Sequence, residues 1–190
     1  MKKILQKEAS ILRKVAQEVP VNTVTSAKIK NILKEMMVAL DSQDDGVAIA
    51  APQIGYSLRI FLVSGKVESI EKMKDGPADE TNELESKARS HQVFINPVIK
   101  KISKKKNLVE EGCLSVRYLY GKVERADKVS VEAFNENGKK FSRGAKGLMA
   151  QIFQHEIDHL DGVLFIDKAT KLEEIIPAHL TASKTKNAAR

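Results

Sequence analysis

The pattern His155-Glu156-Ile157-Asp158-His159 constrains this chain more than any other feature, because a His-Glu-x-x-His run acts as a unit only on a helix. At 3.6 residues per turn the two histidines stand roughly 40° apart on one face, so both imidazoles can reach one metal ion. Glu156 falls roughly 60° further round, where it can meet a water on that ion without being a ligand. The same stripe runs back through Ile152 and Leu148, so these histidines face an apolar interior. Burying two imidazoles and a carboxylate without partners costs several kcal/mol, which favours a metal over surface or hydrogen-bonded core histidines. The helix is expected over 146–160, with Gly162 ending it.

A catalytic site of this kind uses three protein ligands and keeps a fourth position open. His91 sits in a charged stretch and His179 near the end of the sequence, and both read as exposed residues without a site role. Cys113, the one cysteine, is the better third ligand. It follows Gly112, which permits a tight backbone path, and precedes Leu114, whose amide N–H can sit beside the ion. A thiolate suits iron or zinc and largely excludes magnesium or calcium. On composition alone the thiol reads as a small buried hydrophobe. Its use as a nucleophile is a poorer reading, because both good histidine partners are already paired on the helix.

The 190 residues suit one domain, and a single cysteine allows no intramolecular disulfide, which points to a reducing, cytoplasmic setting. No apolar run has the length of a signal peptide or a membrane span. The net charge of +7 is spread over scattered lysines, with no Trp and 5% aromatics, so no specific nucleic-acid partner is indicated; weak attachment to the RNA-rich ribosome surface remains open.

Helices are expected over 8–19, from Ile11, Leu12, Val15 and Val19, and over 26–40, from a stripe running Ile29 to Leu40. The segment 46–55 is rich in small residues and reads as neither helix nor strand. Strands are expected at 59–63 and 92–96, separated by a mobile insertion over 64–91. A hairpin is expected from 128–134 and 139–143, and extended chain at 163–166. Residues 172–176 read as a helical turn within a tail, 171–190, whose end frays.

Three segments, Gly46 to Gln53, Glu111-Gly112-Cys113-Leu114-Ser115, and Gln154-His155-Glu156-Ile157-Asp158-His159, resemble the signature motifs of the peptide deformylases, in that family's order and at compatible spacing. Asn96-Pro97, Val123-Glu124-Arg125 and Asp161 to Phe165 are also similar, so the likeness spans Ile11 to Asp167. Two departures stand out: Ala48 replaces a usual glycine, and the 64–91 insertion is long.

The resemblance implies an α+β fold in which short antiparallel or mixed β-sheets wrap a central metal-bearing helix, with residues 1–170 as the catalytic domain. It implies an enzyme that removes the formyl group from N-formylmethionyl nascent peptides, with Cys113, His155 and His159 as metal ligands. Fe(II) is the implied native ion, with Zn(II), Ni(II) or Co(II) as substitutes. Glu156 is the implied general base and acid, and Gln53 and the Leu114 N–H the implied oxyanion donors. Substrate contacts fall on Val47, Ala48, Glu111, Gly112, Leu148 and Ile152. Three rivals are a zinc endopeptidase drawing a third ligand from Glu173 or Glu174, a binding module with a structural metal, and a family member that has lost activity, for which Ala48 is the one hint. Casein cleavage against formate release separates the first; the second lacks the fourth protein ligand such sites normally carry.

Overall fold

Ser26 sets the start of the first long helix, because its Oγ accepts the Ile29 N–H and caps an otherwise unpaired backbone donor. Helix α1, Ala27–Asp41, then buries Ile29, Ile32, Leu33, Met36 and Leu40 along one side. The computed structural model describes residues 1–68, 70 and 90–177, and among these α1 packs on one face of a five-stranded antiparallel sheet.

That sheet has the order β1-β2-β3-β6-β7, with β1 Ala48–Ala50, β2 Ile60–Ser64, β3 His91–Ile102, β6 Lys128–Phe134 and β7 Lys140–Lys146. Both faces are covered, so β2 is apolar in four of five positions and buried throughout. Ile60, Leu62, Val93 and Ile95 face α1. Phe61, Val63, Phe94 and Val131 face a second helix, α2, Gly147–Leu160. Phe61 and Phe94 stack with centroids 4.5 Å apart, and Phe153 of α2 sets its ring edge-on to Phe94 at 4.9 Å. Aromatic packing of this kind seats the helix in depth and rotation.

A smaller antiparallel sheet, β4-β5-β8, is built from Lys106–Gly112, Leu119–Ala126 and Thr170–Glu174. The Gln154 side chain ties α2 to the end of β5, accepting the Ala126 N–H at 2.9 Å and donating to the Ala126 carbonyl at 3.0 Å. The expected α+β class, with sheets around a central helix, is borne out, and every strand pair within the two sheets is antiparallel.

Several expected elements differ. The helix over 8–19 is a single 3-10 turn, Ser10–Arg13, after which the chain extends so that Gln17 bonds Ser57 and Arg59. Leu12, Ala16 and Val19 are the buried residues there, while Val15 faces solvent. Residues 46–55 supply strand β1 and the 3-10 turn Ala51–Ile54. Residues 163–166 give way to the 3-10 turn Phe165–Asp167, and the expected turn at 172–176 is instead β8. Ser64 and His91 belong to paired strands, so the ends of the 64–91 insertion are part of the sheet; most of its interior lies outside the described residues. His91 is largely covered and bonds Asp41 at 2.9 Å, contrary to its reading as a free surface residue.

Candidate active site

Helix α2 carries His155, Glu156 and His159 toward a cleft of about 310 Å³ whose walls come from β1, the end of β4 and the loop after it. The helix stops where it must. Gly162 adopts φ +75° in a left-handed cap that returns the Val163 N–H to the Asp158 carbonyl, and a Cβ there would meet the Arg13 carbonyl at 2.9 Å.

Cys113 is delivered from the opposite side. Strand β4 ends at Gly112, and the chain turns so that Cys113 Sγ lies 3.1 Å from His159 Nε2. A Cβ on Gly112 would stand 2.7 Å from the Tyr120 ring, its partner across β5, so the approach is open only to glycine. One ligand atom each from Cys113, His155 and His159 lies within 4.8 Å of the others. Bonds of about 2.0 to 2.3 Å to one ion put neighbouring tetrahedral donors about 3.3 to 3.8 Å apart, so the triangle suits a single divalent ion. Two further features fit such an ion and a water beside it: Cys113 and His155 keep partial exposure to the cleft, and Glu156 Oε2 is buried without a hydrogen-bond partner. His159 Nδ1 is likewise buried and unpartnered.

A charge network lies behind the site. Arg125 grips Glu111 with two bonds, Nε to Oε1 at 2.7 Å and Nη2 to Oε2 at 2.9 Å, and its Nη1 reaches Asp158 at 2.6 Å. Glu111 Oε2 also meets His155 Nδ1 at 2.9 Å, which leaves Nε2 to face the ligand cluster. Burial pushes the Glu111 carboxyl up, but hydrogen bonds from Arg125 and His155 outweigh it and hold it at about 2. For Glu156 burial dominates, and despite the nearby imidazoles it raises the carboxyl to about 7 in the absence of a metal. A carboxyl poised there can both accept and release a proton near neutrality.

Gln53 is oriented by its neighbours. Its Oε1 accepts the Ala50 N–H at 2.7 Å, so the amide cannot be flipped, and its Nε2 donates to Ser115 Oγ at 3.0 Å and points to Cys113 Sγ at 3.7 Å. Leu114 is buried beside the same sulfur. Val47, Ala48, Glu111, Gly112, Leu148 and Ile152 all line the cleft. The Glu111 carboxylate, however, is fully engaged by Arg125 and His155, so that side chain orients a histidine from behind the cleft wall. Ala48 is nearly buried in β1, facing the α2 side of the sheet. Glu173 and Glu174 are exposed in β8, and His179 lies outside the described residues.

Sequence reasoning placed Arg125, Ser115 and Gln154 within motif segments without giving them a role, and it passed over Gln6. Each acts through a bond to a residue distant in the chain, or through a backbone turn, which local pattern does not reveal. A buried Glu-Arg pair across β4 and β5 looks, in sequence, like solvated charge.

Within a small α+β fold, one thiolate, two imidazoles and a buried carboxylate on the imidazole-bearing helix define a hydrolase with a place for one divalent metal. The sequence profile of the polypeptide deformylase family matches residues 1–174, and the chain belongs to this family. It is 39% identical over 171 residues to peptide deformylase 2 of Clostridium acetobutylicum, covering 90% of this chain and 97% of that one. Peptide deformylase of Halothermothrix orenii is 40% identical over 164 residues, covering 86% and 90%. The Met-Ala-Ser-bound crystal structure of the class I type b peptide deformylase from Acinetobacter baumannii superposes with a TM-score of 0.71 at 31% identity, covering 88% and 99%.

Proposed function

We propose that this site removes the N-formyl group from formylmethionine at the start of newly made polypeptides, and that Cys113, His155 and His159 hold the metal that assists. The observation that carries the reading is the convergence of these three donors within 4.8 Å beside the unpartnered carboxylate oxygen of Glu156. Held by Cys113, His155 and His159, a divalent ion would supply Lewis-acid charge for acidifying a water and polarising the formyl oxygen.

The chain's own groups do the rest. Glu156 accepts the water proton as oxygen attacks the formyl carbon, and returns it to the methionine nitrogen as the C–N bond breaks, leaving formate and a free amine. Gln53 Nε2 and the Leu114 N–H donate to the negative charge that develops on the formyl oxygen, a contribution typically of a few kcal/mol for each donor. Leu148, Ile152 and Val47 form the apolar slot for the methionine side chain. The edges at Val47–Ala48 and Gly112 bond the peptide backbone, so downstream sequence matters little. Glu111 serves the substrate indirectly, by setting His155.

Fe(II) is the resident ion in this reading, with Zn(II), Ni(II) or Co(II) able to replace it; the thiolate and imidazole donors support any of these over magnesium. Residues 1–170 form the catalytic domain and 171–190 a C-terminal tail, whose first residues, as far as Glu174, pair with β5 as part of β8. The lone thiol supports a cytoplasmic setting, and among the described residues no helix is long and apolar enough to cross a membrane. The charge of +7 supports a weak electrostatic association with the ribosome surface.

The test is formate release from formyl-Met-Ala-Ser by anaerobically purified protein of measured metal content. Glu156→Ala should keep one equivalent of metal and lose nearly all activity. Retained turnover in that variant removes the proposed base, and casein cleavage without formate release would move the chain to the endopeptidases.

A further inference from the structure

Two neighbouring residues near the start of the chain bond the backbone carbonyls of both residues assigned to the oxyanion. The Leu5 N–H donates to the Gln53 carbonyl at 2.8 Å. The Gln6 side chain spans the loop after Cys113, its Nε2 donating to the Leu114 carbonyl at 3.0 Å and its Oε1 accepting the Arg117 N–H at 3.3 Å. The peptide unit between Leu114 and Ser115 is planar, with its C=O and N–H on opposite edges. The second edge is also engaged, because the Ser115 N–H points to Cys113 Sγ at 3.4 Å. Gln6 therefore fixes this plane from outside the cleft and the sulfur fixes it from inside. The Leu114 N–H, caught between an anchored Cys113 and an anchored following plane, has little freedom to turn.

We infer that Gln6 is a positioning residue for deformylation, which aims the Leu114 N–H at the developing oxyanion while Leu5 steadies the turn that bears Gln53. This rests on the reading of Leu114 and Gln53 as oxyanion donors. Gln6 is exposed and does not line the cleft, so it acts through the loop and makes no contact with substrate. Its exposure also means that replacing it leaves the hydrophobic core intact.

The metal-loaded enzyme tests this with formyl-Met-Ala-Ser as substrate and Met-Ala-Ser as product inhibitor. Gln6→Met keeps the side-chain length without polar atoms. Gln6→Glu keeps an acceptor for Arg117 but turns an oxygen toward the Leu114 carbonyl. Both should lower kcat about tenfold, since small misplacements of catalytic groups cost one to two orders of magnitude. KM, the inhibition constant of Met-Ala-Ser and the metal content should stay within about twofold of wild type, because product binding does not use the oxyanion donors. Gln53→Ala, which removes a donor outright, should cost about a hundredfold or more in kcat. If Gln53→Ala is crippled while either Gln6 variant turns over like wild type, the brace is wrong and the oxyanion reading stands. If Gln53→Ala is also unaffected, the oxyanion reading itself falls. Parallel losses in KM, product binding or metal content would mark Gln6 as merely structural and overturn the inference.

Discussion

Glu111 Oε2 is shared between the Arg125 guanidinium at 2.9 Å and the His155 imidazole at 2.9 Å, so one buried oxygen couples a structural ion pair to a ligand of the candidate metal site. The ring orientation of His155 is thereby set by a residue on a different sheet from the five strands beneath its helix.

Glu111→Gln should therefore weaken metal binding about 10- to 100-fold, the usual effect of removing a carboxylate behind a ligating histidine. It also leaves Arg125, almost wholly buried, short of its partner's charge, for which a loss of about 3 kcal/mol or more in folding stability is expected. Competition with a chelator and a denaturant titration read the two effects separately. Unchanged metal affinity would show that His155 needs no support from behind.

The metal-free protein should hold Cys113 as a thiolate at neutral pH. Burial pushes the thiol up, but the His159 charge and hydrogen bonds from His155 and His159 outweigh it and bring the value from 9.0 to about 5. Thiolate ultraviolet absorbance should thus appear with a midpoint near 5. Because the folded value lies below the unfolded one, the thiolate stabilises the fold fully above pH 9.0, and that stabilisation is lost as pH falls through about 5. The stability difference between metal-free wild type and Cys113→Ala should shrink over that range. A midpoint near 9 would remove the electrostatic coupling.

Gly112→Ala should disturb the cleft through Tyr120, whose ring occupies the space a Cβ would enter at 2.7 Å. A cost of about 1–3 kcal/mol in stability is expected from the forced overlap, with a raised KM for formyl-Met-Ala-Ser. Adding Tyr120→Ala should recover part of both losses, because residues in contact are non-additive. Strictly additive effects in the double variant would rule out this contact as the cause.

The helix of the two histidines and Cys113 were legible in sequence because their signals are local: a period of 3.6, a fixed pair of histidines, a glycine beside a lone thiol. The sheet around them was legible where strands carry inward apolar residues, as at Ile60–Ser64 and Lys128–Phe134, and where turn residues send the chain back, as before Lys140–Lys146. Strand β4 has one buried residue, and that residue is Glu111, so nothing in its pattern announces a strand. Strand β8 is exposed along its whole length and reads equally well as a turn of helix. The false helix at 8–19 has suitable apolar spacing, yet pairing of Gln17 with the segment around Leu58 draws that chain out straight. Tertiary contacts decided where local preference was weak.

Phe153 links the chemistry to the middle of the protein. It follows the cleft-lining Ile152, with its ring against Phe61 and Phe94, so the azimuth of His155, Glu156 and His159 is indexed to three interlocked rings. Drift at the rim of the cleft can change which peptides are accepted, but repacking beneath the helix would swing all three side chains of the candidate site together. Variation in a lineage of such chains should accordingly collect around the groove and spare the aromatic bearing under it.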